Sequence, residues 1–85
     1  MTREQFIKEI EKRGFVQSTP IRTHTYNGGQ YERRNAHEDK DFFYCDKYAV
    51  RSEFHGGNTI SSTLEESYSA ITVELINAVA GKEKP

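Results

Sequence analysis

The spacing of apolar residues changes twice along this 85-residue chain, from helical at the start to alternating in the middle and back to helical near the end. A repeat near 3.6 marks an amphipathic helix, and a repeat of two marks a half-buried strand. A chain that switches between them must lay helices against a sheet, so an α+β domain is expected. The expected order is helix, three or four antiparallel strands, helix, with both helices on one face of the sheet.

The first helix is expected over residues 2–13. Thr2 and Gln5 have capping-box spacing, in which each side chain satisfies the other residue's free amide. Phe6, Ile7 and Ile10 share a face, while Glu4 with Lys8 and Glu9 with Arg13 form favourably oriented pairs on the wet side. Gly14 supplies the left-handed residue that stops a helix, and Phe15 then folds back onto Ile10.

Residues 21–26 and 30–34, separated by Asn27-Gly28 with Gly29 as a bulge, read as a β-hairpin, and Pro20 suits the start of its first strand. The polar stretch 35–41 reads as a loop. In 42–54, Phe42, Tyr44, Tyr48, Val50 and Phe54 fall on one side of an alternating pattern that Asp46 interrupts. The segment is therefore either one bulged strand or two strands turned at Asp46-Lys47, and Gly56-Gly57-Asn58 ends it. Turned away from the helices would be His24, Tyr26, Arg33, Lys47 and Arg51, or their alternates if the register slips by one.

The second helix is expected over residues 63–80. Ser62 with Glu65, or Thr63 with Glu66, offers a capping box, and Gly81 offers the stop. Leu64, Tyr68, Ile71, Leu75 and Ala78 form one stripe, with Val79 beside it. Val73, Ile76 and Ala80 lie on a flank that either another element covers or a partner contacts. Residues 1–81 thus make one domain, and 82–85 a frayed tail.

Leu, Ile, Val and Phe supply only 17 of the 85 residues, so the core is thin and leans on aromatic rings. A net charge of −1 does not hold the chain open. Without disulfide or metal staples so small a domain commonly gains stability from a partner or a second copy, and a homodimer is one expectation. No apolar run approaches the roughly 20 residues of a membrane span. Residues 1–13 lack the apolar block of a secretory signal, so a cytoplasmic, reducing location is expected.

Nothing in the sequence assembles a reactive site, and no enzyme activity, cofactor or metal is expected. Cys45 stands among Phe42, Phe43 and Tyr44, the setting of a small buried hydrophobe rather than of an activated thiolate. His24, His37 and His55 show no paired zinc-ligand spacing. Gly28-Gly29 and Gly56-Gly57 are turns without the Lys and Ser/Thr of a phosphate loop. Glu38, Asp39 and Asp41 are neighbours in a loop and lack the apolar cleft that separates catalytic carboxylates.

Two binding readings remain. Arg22, Arg33, Arg34, Lys47 and Arg51 interleave with Tyr26, Tyr31, Tyr44 and Tyr48, a composition with which an exposed sheet stacks bases of RNA or single-stranded nucleic acid. The helix–strands–helix order also resembles the double-stranded-RNA-binding domain, a family that grips phosphates with basic residues at the start of its last helix. Here the matching stretch, 61–66, carries Glu65 and Glu66 and no base, which opposes phosphate binding.

Charge is uneven as well. Residues 1–51 hold 10 basic and 8 acidic side chains, whereas residues 52–80 hold four acidic ones and no Lys or Arg. That is no concentrated basic face. The leading expectation is a non-catalytic protein that binds and modulates or inhibits a protein partner, with a size and composition like those of small phage- or plasmid-encoded inhibitors. The residues expected at that contact are Arg22, Tyr26, Tyr31, Arg33, Arg34, Lys47, Arg51, Val73 and Ile76, since Tyr and Arg dominate interface hot spots. An uncovered edge strand offers a second route to a partner or another copy.

Overall fold

The computed structural model describes residues 1–18, 29–61 and 64–83. The fold is α+β, with helix α1 (Arg3–Lys12), helix α2 (Val73–Ala80) and an antiparallel sheet of six strands, more than the three or four expected. The strands are β1 (Val16–Gln17), β2 (Gln30–Arg34), β3 (Lys40–Cys45), β4 (Ala49–Gly56), β5 (Thr59–Ser61) and β6 (Glu65–Ser67). They run β1-β2-β3-β4-β5, and β6 also pairs with β4.

Local signals fix α1. Thr2 Oγ1 accepts the Gln5 amide at 3.1 Å while Gln5 Oε1 accepts the Thr2 amide at 2.8 Å. At the other end Gly14 takes φ 93°, and the amides of Gly14 and Phe15 return to the carbonyls of Glu11 and Ile10, each at 3.1 Å. This paired return is the Schellman stop that the sequence announces. It delivers Phe15 into the core beside Ile10, where both are buried.

The hairpin expected over 21–34 is described only in its second half, because residues 21–28 lie outside the described ones. β2 pairs with β1 through Val16↔Glu32 and Gln17↔Tyr31, and with β3 through Tyr31↔Phe43 and Arg33↔Asp41. The polar stretch expected as a loop over 35–41 is shorter, because Lys40 and Asp41 already belong to β3. Asn35 builds the turn itself. Its Oδ1 accepts the amides of His37 and Asp39 at 2.8 and 3.1 Å, which supports Glu38 at φ 59°.

Between β3 and β4 the chain turns at 46–48, so the two-strand alternative holds. Those three residues shift the alternation. Phe43, Cys45, Val50 and Ser52 face the core, whereas Phe42 and Tyr44, expected on the buried side, face outward. Tyr48 stands at the turn, 76 % exposed. Phe43 is the centre of the core: Phe6 meets it edge-on with centroids 5.3 Å apart, and Phe15 and Phe54 lie at 4.8 and 5.5 Å. Tyr31 is buried in the same cluster.

The helix expected over 63–80 begins only at Val73. The Ser52 amide on β4 donates to the Leu64 carbonyl and the Leu64 amide donates to Ser52 Oγ, each at 2.8 Å, and residues 65–67 then pair with 49–51. Leu64, Tyr68 and Ile71 are buried as the stripe required, but just before β6, at the start of a 3₁₀ turn (Tyr68–Ala70) and just after that turn, rather than on one α-helix. The cap is Thr72, whose Oγ1 accepts the Leu75 amide at 3.2 Å; Ser62 and Thr63 lie outside the described residues. The buried face is also rotated. Ile76 and Ala80, expected on the free flank, are in the core, while Ala78 is exposed.

A polar network ties the helix ends to the sheet. Arg13, with its side chain 2 % exposed, donates to the Gly81 carbonyl at 2.8 Å, to the Glu9 carbonyl at 2.6 Å and to Asn77 Oδ1 at 2.6 Å, and pairs with the Glu9 carboxylate at 3.2 Å. Arg33 Nη1 donates to the carbonyls of Arg13 and Ala80 at 3.1 and 3.0 Å. Its guanidinium lies 4.4 Å from the centroid of the Phe15 ring and 3.6 Å from Asp41 Oδ2. Asp41 is itself buried and accepts from Asn35 Nδ2 and the His55 amide. Arg33 therefore points inward and is a structural residue, not the outward contact expected from the sequence.

Truncating one partner of a buried, hydrogen-bonded ion pair leaves the others unsatisfied and typically costs about 3 kcal/mol. Arg13→Ala should lower stability by about that amount in urea unfolding, whereas exposed Arg34→Ala should stay within about 0.5 kcal/mol of wild type.

Candidate functional site: the outer face of the sheet

Strand pairing and burial together define the face turned from the core. Along β2, β3 and β4 it presents Glu32, Arg34, Lys40, Phe42, Tyr44, Arg51, Glu53 and His55, with Val16 on β1, Ile60 on β5 and Glu65 on β6 in the same rows. At its centre the Phe42 and Tyr44 rings lie nearly parallel with centroids 5.9 Å apart, and His55 meets Phe42 edge-on at 5.6 Å. The Arg51 guanidinium covers the Tyr44 ring at 4.4 Å. Loss of hydration pushes the Tyr44 phenol above its ordinary value, with the Glu53 carboxylate adding to it, so the hydroxyl stays protonated and able to donate.

Ion pairs hold the surrounding side chains. Lys40 Nζ reaches Glu32 at 2.8 Å, His55 Nε2 contacts Glu53 Oε1 at 3.0 Å, and Arg51 lies 3.8 Å from the same carboxylate. Lys40 and Arg51 thus have carboxylate neighbours in Glu32 and Glu53, and with the exposed Arg34 and Glu65 the face holds three Lys or Arg and three Glu, so it carries no net charge from these groups. Its character is aromatic and internally paired.

The residues expected at a contact divide. Arg34 and Lys47 are exposed, Arg51 is half-buried on the outer face, and Val73 is 42 % exposed on α2. Lys47 Nζ lies 5.5 Å from the Tyr48 ring at the turn, well away from the ladder's centre. Tyr31 and Ile76 are corrected to core residues, and Arg33 to the inner network, because each falls on the opposite face from the one assumed. Arg22 and Tyr26 lie outside the described residues. The sequence reading missed Phe42, Glu53, His55 and Ile60; treating 46–48 as a turn and restarting the alternation after it would have found the first three.

Beside this face, a shallow cleft of about 300 Å³ opens between the turn after β2 and the β4–β5 hairpin, lined by Asn35, His37, Asp41, His55 and Thr59 among others. The polar atoms of Asn35 and Asp41 there are spent on one another and on backbone groups. Among the described residues no cluster of three or more His, Cys, Asp or Glu is placed to hold a metal ion. No helix there is long and apolar enough to cross a membrane. Cys45 is fully buried, and desolvation pushes its thiol up to about 12, so the thiolate a nucleophile needs is suppressed near neutral pH. Comparisons with models of protein families, with curated proteins and with solved structures find no match.

Because the Cys45 thiol is held above its ordinary value of 9.0, its neutral form favours the folded state. That contribution is intact below 9.0 and is lost as the pH rises toward about 12. Burial also raises the phenols of Tyr31 and Tyr68, in the same direction. Urea midpoints should therefore fall over that alkaline window, less steeply in Cys45→Ala. At neutral pH a thiol-specific disulfide reagent should label native protein only at the rate of unfolding.

Proposed function

We propose that the protein is a non-catalytic interaction domain that binds a protein partner through the outer face of its sheet. The observation that carries this reading is the Phe42–Tyr44–Arg51–His55 ladder, an aromatic surface with an arginine laid on it and its charges internally matched. Aromatic rings fixed by few rotatable bonds, with Arg beside them, give much contact area at small entropic cost. A domain of this kind modulates or inhibits its partner by occupying the partner's surface, which requires no reactive group of its own.

Charge balance argues against the nucleic-acid alternative. Phosphate binding draws its affinity from unpaired Lys and Arg that release counterions, and on this face Lys40 is paired with Glu32 and Arg51 lies beside Glu53.

The test is a comparative pull-down from lysate of the source cell. Wild-type protein should retain a specific protein that Tyr44→Ser and Arg51→Glu lose, with melting temperatures of both variants close to wild type. Retention by both variants would reject the outer face. Binding to a mixed RNA pool that persists at roughly 0.15 M salt would favour the alternative.

A further inference from the structure

We propose that the β5 edge of the sheet is a self-pairing strand, joining two copies of the chain about a two-fold axis at Ile60. β5 ends the strand order, and among the described residues no strand lies on its far side. The two-residue turn Gly57-Asn58 joins Gly56 to Thr59, and Gly57 takes φ 64° while Asn58 keeps a negative φ, the pattern of a type II′ turn. In such a hairpin the residues flanking the turn exchange hydrogen bonds. The next pair, His55↔Ile60, then does not, and the N–H and C=O of Ile60 point to the open edge.

Natural sheets guard such edges with charge or proline. β6 is guarded in this way by Glu65 and Glu66, and an antiparallel copy of it would set glutamates against each other. β5 is not: the sequence from Gly56 to Leu64 has neither a charged residue nor a proline. An antiparallel copy centred on Ile60 opposes Ile60 to Ile60 and Thr59 to Ser61, so no like charges meet. Two hydrogen bonds form across the axis. Ile60, 65 % exposed, lies beside His55, which packs on Phe42, so the apolar contact continues from one outer face to the other. Self-pairing here requires nothing of any partner bound to the outer face.

So short an edge buries less than the roughly 1,200 Å² of a stable complex, which sets the dissociation constant on the order of 0.1 mM. Sedimentation equilibrium of the wild-type chain across that concentration should show a reversible rise from monomer toward dimer mass. Ile60→Lys should weaken it about tenfold or more by setting like charges opposite one another. Ile60→Pro removes the outward N–H without taking a ladder bond from β4, and should do the same while keeping the β4–β5 pairing.

Residues paired in this way stand about 5.5 Å apart at Cα, within disulfide reach. Ile60→Cys should therefore cross-link under mild oxidation faster than Tyr48→Cys, although Tyr48 is the more exposed at 76 % against 65 %. A strictly monomeric wild type, a dimer indifferent to both Ile60→Lys and Ile60→Pro, or cross-linking no faster at 60 than at 48 would each overturn the proposal.

Discussion

Two helices that finish side by side aim their last carbonyls, the negative ends of their dipoles, at one region. Unanswered, that arrangement would repel and leave buried acceptors unsatisfied. Arg13 and Arg33 answer it together. One reaches from the end of α1 to the Gly81 carbonyl just past α2, and the other reaches from the sheet to the carbonyls of Arg13 and Ala80. Through Asp41 and Asn35 the same network continues to the His55 backbone at the far end of β4. A domain with few aliphatic residues thus obtains from polar contacts the registration that a larger core would provide by packing.

What was legible in the sequence was local. The limits of α1 come from Thr2, Gln5, Gly14 and Phe15, all near enough in the chain to act on one another directly. The end of α2 is local too, with Gly81 at φ 84° stopping it where expected, but its start is not. Leu64, Tyr68 and Ile71 are spaced as a helix would space them, yet Leu64 is claimed by Ser52, twelve residues away, and the strand that follows it is claimed by β4. That competition is settled by tertiary pairing, which a one-dimensional pattern does not contain.

The candidate site shows the same division in a sharper form. The side chains of a strand alternate, so one uncounted turn residue sends every later residue to the wrong face. An unbroken alternation puts Arg51 outward correctly, but it also puts Phe42 and Tyr44 inward and Arg33 and Tyr31 outward. The aromatic and arginine content pointed to a binding surface, but the phase of the strands decided which rings compose it. Phe43 rather than Phe42 fills the core, and the exchange leaves a ring free to stack on Tyr44 and to meet His55 edge-on.

β4 meets two short strands in succession along one side, β5 near its end and β6 near its start, with the bonds between Ser52 and Leu64 standing in the interval. The border of the sheet is therefore riveted at its midpoint. Fraying that begins at Thr59 or at Ser67 runs only as far as this rivet, so each half of the border opens by itself. Amide exchange would register the difference as a Leu64 slower than the amides of β6.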